Sequence, residues 1–266
     1  MINNQGSYQG IIFMQLTDNT IFITGGASGI GRGLAEAFHK LGNKVIIAGR
    51  RKALLDEVTA ANPGMVGLEL DINDPASINE VARTLTIQYP SLNVLVNNAG
   101  IMPFDDAAGH IDDETMLATL TTNFMGPVRL TSALIEHLKS RPRSVIINNT
   151  SVLAFVPLAC NAVYSATKAA LHSYSLSQRF TLRDTSVTIQ EIAPPWVNTD
   201  LIHKGDDPRA MPLDAFIEQT MAGLATDIPE VVVEAIREIR DNPGSQEHAL
   251  IHGFNLSVVD NPIPVG

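Results

Sequence analysis

Thr20-Ile21-Phe22-Ile23-Thr24-Gly25-Gly26-Ala27-Ser28-Gly29-Ile30-Gly31 is the stretch on which the folding of this 266-residue chain turns. Thr20–Ile23 is short, apolar and rich in β-branched residues, which predicts a strand buried on both faces. Four glycines follow. From Ile30 the apolar residues recur at helical spacing as far as Leu41. Glycines between a strand and a helix let the backbone turn tightly and approach a pyrophosphate, whose charge is drawn to the free N–H groups and dipole of the helix start. Ser28 adds a hydroxyl. Thr24, Gly25, Ser28, Gly29, Ile30 and Gly31 are therefore candidate dinucleotide-binding residues; the alternative is a plain turn that uses glycine for its dihedrals.

The same rhythm runs outward along the chain. Strands are expected at Lys44–Ala48, Met65–Leu70, Val94–Asn97, Ser144–Asn148 and Thr188–Ile192, all near-continuous apolar runs. Helices are expected at Lys52–Ala61, Pro75–Tyr89, Asp112–Lys139 and Val163–Leu182. Alternation of this kind predicts an α/β fold: a single doubly wound parallel sheet with helices on both faces. One domain over residues 15–266 accommodates it, with 1–14 read as a loose extension. After Pro194-Pro195, a loop rich in Pro and Asp leads to helical segments at Leu213–Leu224 and Pro229–Arg240. An insertion beyond a strand end is where open α/β sheets place a substrate lid, here about residues 200–225. Met211, Leu213 and Phe216 give that lid an apolar pocket mouth.

Composition bounds the function. The chain is 45% hydrophobic and 17% charged, with a net charge of −10. That excess argues against nucleic acid or an anionic membrane as partner and favours a small molecule. No stretch has the apolar length of a membrane span, and the one cysteine, Cys160, suits a reducing, cytoplasmic compartment. The seven histidines show no metal-ligand spacing, so no metal site is assigned. His203 reads as a solvated loop residue, and Trp196 as pocket wall or lid packing.

At the end of the second strand, Gly49 stands where a carboxylate would meet a free ribose hydroxyl, about 20 residues after the glycines. Arg50 and Arg51 follow it and can meet a 2′-phosphate with charge-assisted hydrogen bonds, which predicts NADP(H) over NAD(H). Their other reading is as solvated cations at a helix start. Asp71-Ile72 closes the third strand, where a carboxylate could accept from adenine and Ile72 could cover the ring; Asp71 could equally cap the next helix. Asn97-Asn98-Ala99-Gly100 closes the fourth with small residues that admit a ribose, or forms an ordinary turn. Beyond the fifth strand come Ser151 and then Tyr164-Ser165-Ala166-Thr167-Lys168. At i and i+4 on a helix, Tyr164 and Lys168 share a face, and the cation should favour the phenolate, making Tyr164 an acid or base near neutral pH.

In order and spacing, these residues resemble the short-chain dehydrogenase/reductases. The likeness runs over about residues 17–200: TGGASGIG at 24–31, Asp71, NNAG at 97–100, Asn123, Ser151 thirteen residues before Tyr164, Lys168, and Pro194 to Thr199. The lid sequence and Glu230–Arg240 further resemble the DltE-type oxidoreductase branch. The resemblance implies a Rossmann fold and an NADP(H)-dependent hydride transfer to a carbonyl or from an alcohol. Tyr164 would move the proton, Lys168 would lower its pKa and bind the nicotinamide ribose, Ser151 would donate to the substrate oxygen, and Asn123 would hold a water linking Lys168 to solvent. Asn98, Ala99 and Gly100 would line the ribose site, and Pro194, Val197 and Thr199 the carboxamide and phosphates. A homodimer or homotetramer through the helices at 112–139 and 163–182 is also implied. Two features depart from the family: Pro195 replaces its glycine, and its Val-Asp-Gly-Gly seventh-strand signature is absent, leaving His248–Gly253 as a remnant of that strand and the tail through Val265 unassigned. An NAD-linked dehydrogenase and a non-catalytic NADP(H)-sensing regulator on the same fold are the rival readings.

Overall fold

The computed structural model describes residues 14–202, 207–241 and 246–262. Among the described residues seven strands form, β1 (Thr20–Thr24), β2 (Lys44–Gly49), β3 (Val66–Glu69), β4 (Leu92–Asn97), β5 (Ser144–Asn149), β6 (Val187–Ala193) and β7 (Glu230–Val232). They pair in parallel in the order β3-β2-β1-β4-β5-β6-β7. The helices are α1 (Gly29–Lys40), α2 (Lys52–Ala61), α3 (Pro75–Gln88), α4 (Asp113–Leu120), α5 (Gly126–Lys139), α6 (Ala162–Thr181), α7 (Leu213–Leu224), α8 (Arg237–Arg240) and α9 (Glu247–Asp260).

The two-residue period of the strands explains why both sheet faces are covered. Ile21, Ile23, Val94, Val96, Val145 and Ile147 share one core with Leu34 and Phe38 of α1, Leu55 and Val58 of α2, and Phe216 and Leu224 of α7. The intervening Phe22, Leu95 and Ile146 face the other way, onto Ile78 and Leu85 of α3 and Leu130 and Leu134 of α5. Full burial of one such side chain contributes about 1.5–3 kcal/mol, so the sheet cannot slip by one residue without exchanging its two cores. Because β1 lies between β2 and β4, the order in which strands are added to the sheet reverses there and leaves a crevice outside the carboxyl ends of β1 and β4, the place where such sheets bind ligands.

Several expectations change on contact with the structure. Pro229–Arg240 is not one helix: Glu230–Val232 is the seventh strand, a 3₁₀ turn covers Glu234–Ile236, and only Arg237–Arg240 is helical. The β-branched run there pairs with β6, Ile192 opposite Val231, and Val231 packs so tightly under α7 that a Cβ on Gly223 would stand 2.6 Å from it. The edge position is thereby taken, and His248–Gly253 lies within α9 rather than in a strand remnant. Leu250, Ile251, Phe254 and Val258 recur at helical spacing and pack against the core. The helix expected over Asp112–Lys139 is interrupted by a π turn at Thr121–Met125, where the Gly126 N–H reaches back five residues to Thr121 O. Met14 is buried at 3% exposure and belongs to the core, not to a loose extension. Residues 1–13, His203 and Val265 lie outside the described residues.

Among the described residues no helix is long and apolar enough to cross a membrane. His172, Glu191 and Glu230 converge within 4.8 Å of one another. Glu191 also pairs with Arg179 at 3.0 Å and Glu230 with Arg240, so guanidinium groups already match these carboxylates. The cluster is an ion-pair network that ties α6 and α8 to β6 and β7.

The start of α5 is packed against the loop after β3. A Cβ on Gly126 would stand 2.5 Å from Ile72 Cγ1 and 2.8 Å from Ile72 O. Gly126→Ala should therefore lower the unfolding free energy by about 1–3 kcal/mol, the ordinary cost of overpacking. Urea unfolding at an unchanged m value measures this; an unshifted midpoint would show that the contact relaxes at no cost.

Candidate active site

The glycine-rich turn between β1 and α1 is held by the turn that ends β4. The Thr24 hydroxyl accepts from the Asn98 and Ala99 N–H groups at 3.0 Å each, and Asn98 Nδ2 donates to Thr24 O at 3.0 Å. Gly25 has φ +66, and a Cβ there would meet Ala99 Cα at 3.0 Å; one on Gly31 would stand 2.3 Å from Gly25 O and 2.4 Å from Asn98 Nδ2. Only glycine fits at either position. The first turn of α1 carries no acidic residue, so its N–H groups and dipole face the crevice unopposed.

A cavity of about 1080 Å³ opens there. One half of it is lined by Thr24, Gly25, Ser28, Gly29, Ile30, Arg50, Arg51, Ile72, Asn98, Ala99 and Gly100, which brings these candidate residues together. Arg51 donates to Ser28 Oγ at 3.1 Å, which holds its guanidinium beside the glycine turn. Nothing lies within 4 Å of where a Cβ on Gly49 would stand, so there is room beside the two arginines. Gly31 is buried in the turn and supports the lining from behind. Asp71 is not brought to the cavity: its carboxylate accepts from the Asn73 N–H at 3.0 Å, and Leu70, Ile72 and Asn73 take the wall instead. Nor does it cap the next helix, since Asp74 accepts from the Ala76 and Ser77 N–H groups at the start of α3.

Ser151, Tyr164 and Lys168 line the other half. Ser151 begins a 3₁₀ turn over Val152–Ala154, and its Oγ accepts from the Leu153 N–H at 3.1 Å, leaving its O–H to donate. Tyr164 and Lys168 stand one turn apart on α6, at 6% and 4% exposure. Lys168 Nζ donates to Asn149 O at 2.8 Å and lies 5.5 Å from the Tyr164 ring centre. Asn123 is in the π turn with both N–H groups spent, on Ile101 O and Thr167 Oγ1, while its Oδ1 accepts from the Ile101 N–H. These bonds make Asn123 a brace between the π turn, the loop after Gly100 and α6.

Sequence reading missed the Asp105 cap and the part of the outer wall that comes from Ile236, Ile239 and α9. Asp105 accepts from the Ala162 and Val163 N–H groups, both at 2.9 Å, and so places a carboxylate at the start of α6, where charge and dipole both favour it. Its 57-residue separation from Ala162 gives no local signal. The apolar mouth is not made by Met211, Leu213 and Phe216; Phe216 is fully buried, and α7 docks on α1 so closely that a Cβ on Gly33 would meet Ile217 at 2.8 Å. The outer wall comes instead from Thr199–Ile202, Arg209, Ile236 and Ile239, and from Phe254, Ser257 and Val258 of α9. Pro194, Pro195, Trp196, Val197 and Thr199 do line the cavity, with Pro194 O accepting from the Val152 N–H at 2.9 Å.

The chain matches the family model described as short chain dehydrogenase over residues 19–209. It is 39% identical over 248 residues to the "Uncharacterized oxidoreductase DltE" of Bacillus subtilis (strain 168), covering 91% of this chain and 98% of that one. It is 31% identical over 221 residues to the "NADP-dependent 3-hydroxy acid dehydrogenase YdfG" of Shigella flexneri, covering 81% and 86%. Among solved structures, a short chain dehydrogenase from Burkholderia cenocepacia J2315 in complex with NADP superposes with a TM-score of 0.80 at 27% identity, covering 91% of this chain and 99% of that one.

Electrostatically the site departs from the simple expectation that Lys168 lowers the Tyr164 pKa. Burial pushes the Tyr164 phenol up to about 12, with its hydrogen bond to Ser151 acting the other way, and pushes the Lys168 ammonium down to about 8. Desolvation disfavours the charged form of each and is the largest cause of both shifts. From about pH 8 to 10.5 the unfolded chain holds a Lys168 proton that the folded chain has released, so stability should rise with pH by up to about 1.4 kcal/mol per unit. From pH 10 to about 12 the folded chain keeps a Tyr164 proton that the unfolded chain loses, and stability should fall. Guanidinium unfolding across this range should show Lys168→Met flattening the rise; the wild-type slope persisting in that variant would contradict the assignment.

Proposed function

The chain belongs to the short-chain dehydrogenase family and is an oxidoreductase, and from that premise we propose that it transfers a hydride between NADP(H) and the carbon of a carbonyl compound or secondary alcohol, with Tyr164 carrying the proton. The observation that carries this reading is the convergence of Ser151, Tyr164 and Lys168 on one cavity whose other half is a glycine-lined helix start. A non-catalytic nucleotide sensor would have no use for a buried phenol, ammonium and hydroxyl placed together.

The residues present fit the dinucleotide. Gly25 and Gly31 leave the backbone bare at the turn, and the Gly49 gap lies beside Arg50 and Arg51 with no carboxylate in the family's ribose position. Guanidinium groups there suit a 2′-phosphate. The NADP of the B. cenocepacia structure and the NADP-dependence in the name of the S. flexneri relative support the same choice. Bound in this cavity, the dinucleotide supplies or takes up the hydride. At the substrate oxygen, Tyr164 would donate its phenolic proton during reduction and recover it during oxidation. Ser151, its Oγ already accepting from Leu153, would direct its O–H at the same oxygen and stabilise the charge that develops there. Lys168, one turn from the phenol and near Gly100, would favour the phenolate left behind. Exposed Leu117, Met125, Leu176 and Phe180 on α4 to α6 support the homodimer or homotetramer inferred for this family.

Tyr164→Phe should lower turnover by about 10²–10⁴-fold, the usual contribution of positioned proton transfer, with NADPH binding retained. Full activity in that variant would remove Tyr164 from the mechanism. Replacing Arg50 and Arg51 together by Ala should weaken NADPH binding by about 10–100-fold, as expected for loss of charged hydrogen bonds worth about 1.5–3 kcal/mol, and leave NADH binding unchanged. Fluorescence titration with both dinucleotides decides the matter; equal losses would assign the arginines to something other than the 2′-phosphate.

A further inference from the structure

The substrate end of the cavity has an outer wall of unusual origin. Trp196, Ile236, Ile239, Phe254 and Val258 face it, the last two from α9, near the carboxyl end of the described chain. Two polar clamps hold α9 there. Asn255 accepts from the Ala159 N–H and donates to Pro157 O at 3.0 Å, which fastens the helix to the loop between Ser151 and Tyr164. Arg209 donates to Asn261 O at 2.6 Å and Pro262 O at 3.1 Å, which fastens the chain just past the helix to the loop before α7.

The charges of this end oppose an anion. Arg209 is the one basic side chain among the described residues of the outer wall, and Asp207 takes its Nε at 2.9 Å and its Nη2 at 2.8 Å. Its charge is therefore matched, and its plane stands over Trp196 with 5.0 Å to the ring. Asp200 adds an exposed carboxylate to the same wall. The carboxyl end of α9 carries the negative pole of its dipole to this point, where Arg209 meets it. Among the described residues of this outer wall, a carboxylate would lose its hydration without gaining an unmatched cation as partner.

We propose that the substrate end takes a carbonyl compound or secondary alcohol whose remaining group is apolar and uncharged, and that α9, held by Asn255 and Arg209, is the wall that selects it. The proposal rests on the hydride-transfer reading of the same site. It separates this chain from the S. flexneri relative, whose name specifies 3-hydroxy acids.

Two measurements on the full chain test it. The first compares NADP⁺-linked oxidation of 3-hydroxyhexanoate with that of its methyl ester; the ester should be preferred by about 100-fold in kcat/KM, the cost of an unpaired buried charge. Phe254→Ala should raise KM for the ester about 10-fold with kcat little changed, and Phe254→Leu should restore it. The second titrates hexanamide and hexanoate and reads the fluorescence of the single tryptophan, Trp196. Tighter binding of the amide is expected, and this readout needs no turnover and no variant. Oxidation of the acid as fast as the ester, or hexanoate bound as tightly as hexanamide, would overturn the selectivity and leave hydride transfer standing. Selective amide binding with no turnover of either alcohol would instead overturn hydride transfer and leave the selectivity standing.

Discussion

The Asn98 side chain donates to Thr24 O and accepts from Asn149 Nδ2 at 2.8 Å, and so joins the carboxyl ends of β1, β4 and β5 by one amide. Its orientation is fixed: Nδ2 faces the carbonyls of Thr24 and Gly25, so Oδ1 must take the Asn149 N–H. Asn149 in turn offers its main-chain oxygen to Lys168. The glycine turn and Lys168 are thereby held in one frame. Each bond contributes only about 1 kcal/mol net, yet loss of the Asn98 amide would leave several partly buried partners unsatisfied at once, and those penalties are larger. Close approach is the condition for this frame, and for that reason a Cβ cannot be tolerated at Gly31.

The rest of the site is braced onto that frame from α6. Asp105 caps the helix start, and Asn123 ties the π turn to the Thr167 hydroxyl and to the backbone of Ile101. With both ends of the contact fixed, Tyr164 and Lys168 are presented at one depth and buried together. Burial raises the phenol's pKa and lowers the ammonium's, so each charged form costs more here than in water, although Lys168 still holds its proton below about pH 8. The same low-dielectric surroundings that raise the cost of the resting charges would strengthen each interaction made during the proposed proton transfer.

How far the sequence foretells this depends on the range of the forces. Glycine dihedrals, apolar runs and i, i+4 spacing are local, and β1, the turn to Gly31, β5 and the Tyr164–Lys168 face follow from them. Where a signal was ambiguous over a short span, tertiary pairing decided: Glu230–Val232 reads as part of a helix until β6 offers it a partner, and the segment at 248–253 reads as strand until that edge is filled. The Asp105 cap and the Arg209 clamp link residues more than fifty positions apart and leave no pattern in the chain. The direction of the Tyr164 shift was hidden for a related reason, since burial is a property of the assembled core and not of the two side chains.

The most direct measurement of hydride transfer is the fate of the hydrogen itself. With NADPH deuterated at C4 on the transferred side and a ketone reduced under single-turnover conditions, the deuterium should appear on the carbinol carbon of the product, one for each NADPH oxidised. Oxidation of NADPH that leaves the product carbon without deuterium would contradict direct transfer in this cavity.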